Sequence, residues 1–290
     1  VSNYGLSNII GGFVFGIGMV YGGGCASGTL YRAGEGYIHY WLLLISACVG
    51  YIAFAALFPE VFLPYFFVPL QIFDGYSVIS SLELFSPIVP VLLISAAVVY
   101  LRSKNKLVIN QTIQGLKISN ISSESLKAEW DTKLVGVGMG VLATLWFVIW
   151  GTLSVTGPQA KWTGLVYSEI FGIETLQNNI YWNSVVFRDG IFSISLDMIL
   201  FVSLILGAFI SAYLSGDFKI RVIKRSRIPN AVIGGLVMGF GSRMAPGCNI
   251  SNTFSGLAFL SVAGFITSLG LLLGVYVATH WMFRRSGCAV

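Results

Sequence analysis

Ile10-Gly11-Gly12-Phe13-Val14-Phe15-Gly16-Ile17-Gly18, continuing to Gly22-Gly23-Gly24-Cys25, returns 223 residues later as Ile233-Gly234-Gly235-Leu236-Val237-Met238-Gly239-Phe240-Gly241, continuing to Ala245-Pro246-Gly247-Cys248. Across the sixteen positions from Ile10 to Cys25, eight are identical to their counterparts without a gap, including the closing Gly-Cys pair. Gly12 and Gly16, like Gly235 and Gly239, form a GxxxG spacing that lets another helix backbone approach closely. Gly22 to Gly24 in one copy and Pro246-Gly247 in the other cannot sustain a helix, so each segment is expected to break beside its cysteine. A restart at Ser27 or Ser251 is expected, since either residue can cap a helix. Such a break leaves backbone N–H groups and the positive end of a helix dipole at membrane depth, an arrangement suited to an anion.

The rest of the chain sets these two segments in a bilayer. Of 290 residues, 56% are hydrophobic and 10% charged, against roughly 25% charged in an ordinary soluble domain. With a mean hydropathy of +0.81 and 34 glycines, this composition points to a polytopic helical membrane protein and excludes a typical cytosolic enzyme. Long apolar runs, uncharged except for Asp197, lie at 40–58, 84–101, 134–155, 190–214 and 261–283, and shorter glycine-punctuated runs at 6–28 and 231–260. The stretch 61–73 carries Pro64 and Pro69 and is too short to span, so it reads as an interfacial or re-entrant piece.

Charge orients the runs. The 102–133 connection holds Arg102, Lys104, Lys106, Lys117, Lys127 and Lys133, and the 215–230 connection holds Lys219, Arg221, Lys224, Arg225 and Arg227. Both belong on the cytoplasmic side. The 59–83 connection has no basic residue and the 156–189 connection only Lys161 and Arg188, so these face outward. With Arg32, Arg284 and Arg285 inside, 14 of the 17 basic residues are cytoplasmic, and the pI near 9.0 reflects orientation without implying nucleic acid. On this topology the first motif runs from outside to inside and the second from inside to outside. The expected fold is therefore an all-α polytopic membrane protein with an inverted-topology repeat, its broken or half helices meeting near the midplane. Residues 1–101 would form the first repeat, 102–133 a cytoplasmic linker and 134–290 the second repeat.

Four cysteines without a CxxC pair, and two histidines far apart, give no zinc or redox framework. Cys48, inside an ordinary apolar run, reads as a packing residue, and Cys288, in the tail, as incidental. Cys25 and Cys248, matched at the two breaks, read as functional. The segments carrying them resemble the signatures of the YeeE/YedE sulfur-transport family. That resemblance implies a prokaryotic inner-membrane protein that takes up thiosulfate or a related sulfur anion and relays it past cysteines lining an hourglass-shaped path. Cys25 and Cys248 match two such cysteines, and a cytosolic sulfurtransferase is a plausible partner. The family pattern also has a further cysteine upstream of the first motif, so spans preceding Val1 are expected.

Other polar residues extend the candidate path. Gly24 and Gly247 flank the cysteines at the breaks. Arg243, five residues before Cys248, sits where a charge is costly unless it faces a cavity or binds something, and it could attract the anion or snorkel to the cytoplasmic interface. Asn249 could donate an amide to an oxyanion or serve as a local cap. Arg32 on the cytoplasmic side could attract the anion or simply lie at the interface. Asp197, within an apolar run, is a candidate for a coupling proton or a structural hydrogen bond. His280 reads as interfacial. No cofactor, metal or catalytic residue is expected. The competing readings are a membrane thiol oxidoreductase or sulfurtransferase, which lacks a CxxC pair or cofactor signature in its favour, and a membrane subunit for a soluble sulfur-handling protein.

Overall fold

In the computed structural model, residues 4–67, 71–73, 132–188, 191–192, 194–258 and 261–286 are described. The run 84–101, nearly all of the 102–133 connection and Cys288 lie outside them. The described chain is overwhelmingly helical: α1 (Leu6–Gly22), α2 (Ala26–Gly34), α3 (Ile38–Leu57), α4 (Thr132–Ile149), α5 (Thr156–Phe171), α6 (Ile173–Asn178), α7 (Ile180–Val186), α8 (Leu196–Ser215), α9 (Ile228–Met244), α10 (Gly256–Ala258) and α11 (Val262–Ser286). Among the described residues, extended pairing is confined to two short ribbons, Tyr4–Gly5 with Gln71–Phe73 and Phe187–Arg188 with Ile191–Phe192. Also among them, four stretches are long and apolar enough to cross a membrane: Leu6–Gly34, Ile38–Leu63, Leu196–Ser215 and Val262–Met282.

Two sequence expectations change on this frame. The 156–189 segment is largely helical, because after Gly151 the chain restarts at Thr156 with Pro158 in the first turn, where its missing N–H costs nothing. The proline-bearing piece after α3 continues that helix as a wider, π-type stretch over Phe58–Phe67. α4 is mostly exposed over 135–149, with Val137 at 67% and Val148 at 77%, and among the described residues a side chain at Gly136, Gly138 or Gly140 would meet nothing within 4 Å.

The centre of the molecule is built by glycine. Gly11 lies against the backbone of Met244 and Ala245, Gly18 against Met238, Gly234 against Gly22 and Gly241 against Phe15. As the residue number rises along α1 its partner's number falls along α9, so the two helices are antiparallel. A Cβ at any of these four glycines would collide with the opposing backbone. Each of the two helices also has a parallel neighbour. Gly12 and Gly16 press on the α11 backbone at Thr267, Leu271 and Val275, while Gly235 and Gly239 press on the α3 backbone at Leu43 and Ala47. Gly274 meets Phe13 in the first pair and Gly50 meets Leu236 in the second. Exchanging α1 with α9 and α11 with α3 maps each of these contacts onto another. Phe15, Leu43, Met238 and Leu271 fill the buried seam beside the glycines.

Candidate functional site

Both glycine-rich helices end at the cysteines by the same hydrogen-bond closure. Gly23 adopts a left-handed conformation (φ 73°), and the Gly24 N–H donates to the Met19 carbonyl at 3.0 Å, a Schellman-type stop. At the equivalent place Gly247 (φ 140°) donates from its N–H to the Ser242 carbonyl at 2.9 Å. After each stop the chain turns again: the Thr29 N–H bonds the Cys25 carbonyl and the Asn252 N–H bonds the Cys248 carbonyl, both at 2.9 Å.

The side chains differ. Cys25 is half-buried and is itself the N-cap of α2: its Sγ accepts from the Gly28 N–H at 3.4 Å and lies 3.1 Å from Ser27 Oγ. The helix thus restarts at Ala26, one step before the expected cap, because the thiol takes the capping role assigned to Ser27. Arg32 donates to the Gly23 carbonyl at 3.2 Å and to Tyr40 Oη at 2.6 Å, tying the break to α3. A cleft of about 360 Å³ opens beside it, lined by Gly23, Tyr37, His39, Arg221, Lys224 and Arg227.

Cys248 is 3% exposed. It packs with Val155 in the hydrophobic seam, and the Ser251 hydroxyl accepts its N–H at 2.9 Å and donates to its carbonyl at 3.1 Å. Arg243 stands at the same break, donating to Thr156 Oγ1 at 2.7 Å and to Ser242 Oγ at 3.4 Å, with its guanidinium carbon 5.3 Å from the Tyr51 ring centre. Among the described residues the one ion pair is Lys161 with Asp197, so Arg243 has no carboxylate partner there. A cavity of about 370 Å³ collects Arg243, Gly247, Ser251, Ser154 and Tyr181. The Tyr51 hydroxyl donates to Gln159 Oε1 at 2.9 Å, and Gln159 Nε2 donates to the Leu44 carbonyl at 3.1 Å, which fixes α5 against α3. Burial pushes the Tyr181 phenol above its ordinary range, so it stays protonated and able to donate.

A family model described as sulphur transport matches residues 2–277. The chain belongs to the sulphur transport family. It is similar to the thiosulfate transporter TsuA of Escherichia coli (strain K12), at 29% identity over 286 residues covering 97% of this chain and 75% of that protein. It is also similar to the thiosulfate transporter TsuA of Spirochaeta thermophila, at 31% identity over 291 residues covering 97% and 78% respectively. The probable transporter YedE of Salmonella typhimurium matches 52% of the chain and 38% of its own length at 30% identity.

In this family member the sequence-picked residues separate into groups. Cys248, Gly247 and Arg243 come together at one break, and Cys25, Gly24 and Arg32 at the other. Asn249 precedes the π-type turn Ile250–Ser255 without a side-chain cap bond, and the amide that spans the break belongs to Asn252, which donates to the Ala245 carbonyl at 3.1 Å. Asp197 is paired with Lys161 at 2.9 Å in the first turn of α8. Cys48 accepts a long 3.8 Å contact from Gln159, and His280 stacks on Tyr276. Sequence reasoning missed Tyr181, Thr156 and the Tyr51–Gln159 pair, which are scattered along the chain with no motif to join them. It also missed Gly50 and Gly274, which answer each other at an offset of 224, one residue out of step with the motif.

Proposed function

We propose that the protein carries thiosulfate or a related sulfur anion across a prokaryotic plasma membrane, along a path that passes Cys248 and then Cys25. The observation that carries this reading is the matched pair of helix stops, each placing a cysteine beside basic side chains in a chain whose relatives are named thiosulfate transporters. The antiparallel packing of α1 on α9, with its exchangeable contacts, supports an inverted-topology repeat of 1–101 and 134–290 joined by a cytoplasmic linker at 102–133. On that topology the Arg243 cavity faces outward and the Arg221, Lys224 and Arg227 cleft faces the cytoplasm, so a cation stands near each end.

A thiol is a weak donor, and sulfur is soft and polarizable. Contacts of that kind hold an anion loosely enough to release it, as conduction requires. The basic cytoplasmic cleft also suits an acidic receiving protein, which fits a sulfurtransferase partner. The test is uptake of labelled thiosulfate into proteoliposomes, with sulfate and selenite as competitors. Cys25→Ala and Cys248→Ala are expected to lower uptake with the protein still folded. Wild-type uptake in both would defeat the cysteine path.

A further inference from the structure

The loop that leaves α8 concentrates positive charge at a fixed place on the molecule. Lys219, Arg221, Lys224, Arg225 and Arg227 follow one another closely, and none of them is in an ion pair among the described residues. The loop is pinned to the joint between α2 and α3: the Arg221 N–H donates to the Gly36 carbonyl at 2.9 Å, and the Arg221 carbonyl accepts the Ile38 N–H at 3.2 Å. The Arg221 guanidinium carbon lies 4.3 Å from the Tyr37 ring centre, and Phe218 packs edge-on against Phe209 of α8 at 5.1 Å. These contacts build one wall of the cleft of about 360 Å³ that Arg221, Lys224 and Arg227 share with Gly23, Tyr37 and His39. Among the described residues no carboxylate lines this cleft. Glu35 and Asp217 line a neighbouring cavity that has only Tyr37 and Arg221 in common with it.

The same loop is apolar on its free side. Alternate side chains of an extended stretch point to opposite faces. Arg221 turns inward to Tyr37, while Ile220 and Val222 on either side of it are 70% and 78% exposed. They follow directly on the apolar span Leu196–Ser215, whose closing residues Tyr213 and Leu214 are exposed as well. A membrane surface satisfies both features at once, because its acyl boundary takes up the aliphatic groups and its phosphates meet the cations. An acidic soluble protein accounts for the cations alone. We propose that the cleft binds the phosphodiester headgroup of an anionic phospholipid, with Arg221, Lys224 and Arg227 on the phosphate and Ile220 and Val222 seated among the acyl chains beside α8. The site requires that α8 crosses the bilayer, and it stands whatever ion the protein carries.

The test is equilibrium binding of fluorescent phosphatidylglycerol to the purified full chain in non-ionic detergent, with phosphatidylcholine and water-soluble glycerophosphoglycerol as competitors. Phosphatidylglycerol is expected to bind more tightly than phosphatidylcholine and to raise the unfolding temperature accordingly. Lys224→Gln combined with Arg227→Gln changes two exposed side chains and leaves the Arg221 anchor intact. It is expected to raise the phosphatidylglycerol Kd about thirtyfold, roughly fivefold for each cation near a charged lipid surface. Ile220→Ser combined with Val222→Ser is expected to raise it about tenfold with every cation in place. Glycerophosphoglycerol, the headgroup without its chains, should displace the lipid only weakly. Equal affinity for the two phospholipids, or an unchanged Kd in the folded Lys224 and Arg227 variant, overturns the lipid site and leaves the cleft to a soluble acidic partner. Displacement by glycerophosphoglycerol as strong as by unlabelled phosphatidylglycerol, or no loss in the Ile220 and Val222 variant, overturns it in favour of a free phosphate ester.

Discussion

Cys25 and Cys248 stand at the ends of two helices that stop by the same closure, but their sulfurs have different work. Cys25 Sγ is occupied by the Gly28 N–H and Ser27 hydroxyl and caps its own helix. Cys248 buries its thiol in the hydrophobic seam, its N–H held by Ser251, at the break that also carries an arginine with no carboxylate partner among the described residues. The repeat therefore preserves backbone geometry and divides the chemistry. One site is a structural turn with a polarizable surface, and the other sets a buried thiol behind an open cavity that Arg243, Gly247 and Ser251 line.

The largest expected effects test that division directly. Cys248→Ala removes the buried thiol at the second break and is expected to lower thiosulfate uptake by more than about tenfold. Cys248→Ser should rescue little, because an oxygen replaces the sulfur where softness matters. At Cys25 serine is a good N-cap and alanine is not, a difference of about 1 kcal/mol. Cys25→Ser should therefore keep the stability of the wild type, and Cys25→Ala should lose roughly that amount, read by thermal unfolding in detergent. Equal stability of the two Cys25 variants would show that the thiol does not cap.

The flanking glycines sharpen the same contrast. Gly247 has φ 140°, and a Cβ there would collide with Ser251 and Asn252, the residues that close the second break. Gly247→Ala is expected to cost about 1–3 kcal/mol, the range for a side chain forced into such a conformation, and to abolish binding with it. Gly24 has no positive φ, and its nearest obstacle is the end of the flexible Arg32 side chain at 3.3 Å. Gly24→Ala should be tolerated, with uptake and unfolding temperature near wild type. Similar losses in both would mean that the two breaks are equally constrained.

Much of this arrangement was legible in the sequence because it is local. Glycines at positions 11, 12, 16 and 18, their repeats, and the Gly-Cys ends all lie within two sixteen-residue windows, so close approach and helix termination could be read without knowing what approached. The bilayer could be read as well, since hydropathy reports burial in lipid directly. What escaped was the walls of the pocket. Tyr181 comes from α7, Thr156 from α5 and Tyr51 from α3, and no periodicity links residues that meet only after long loops close. The 156–189 segment misled for a related reason: it is too polar to look like a span, yet its helices pack Trp182, Leu176 and Val186 into the core. Ser27 fits a cap on propensity, but the helix starts at Ala26 and Cys25 accepts the Gly28 N–H, so Ser27 falls inside the first turn.

The two arginines give an intermediate effect. Arg243→Gln removes the charge from the open cavity and is expected to weaken thiosulfate binding about tenfold while making it less sensitive to salt. Arg32 serves the first break by binding the Gly23 carbonyl and lying 5.2 Å from the Tyr40 ring centre. Arg32→Gln should cost about 1 kcal/mol of stability and leave the Kd within about twofold. Binding measured across a salt series separates the two roles. A large affinity loss at Arg32 would make the first break a second anion site.

The smallest effect is expected at Asp197, and its size decides whether the two breaks act alone. Its carboxylate lies 2.9 Å from Lys161 Nζ, and that ammonium is also 3.0 Å from Ser195 Oγ. Placed in the first turn of α8, the carboxylate is further favoured by the helix dipole. Both side chains retain solvent contact, at 26% for Lys161 and 15% for Asp197, so the pair is worth about 1 kcal/mol or less. Asp197→Asn should thus lower stability slightly, keep uptake within about twofold, and leave the response to an imposed pH gradient as in the wild type. Loss of that response with uptake retained would make Asp197 the proton carrier, and coupling would then reside in α5 and α8, outside the two cysteine breaks.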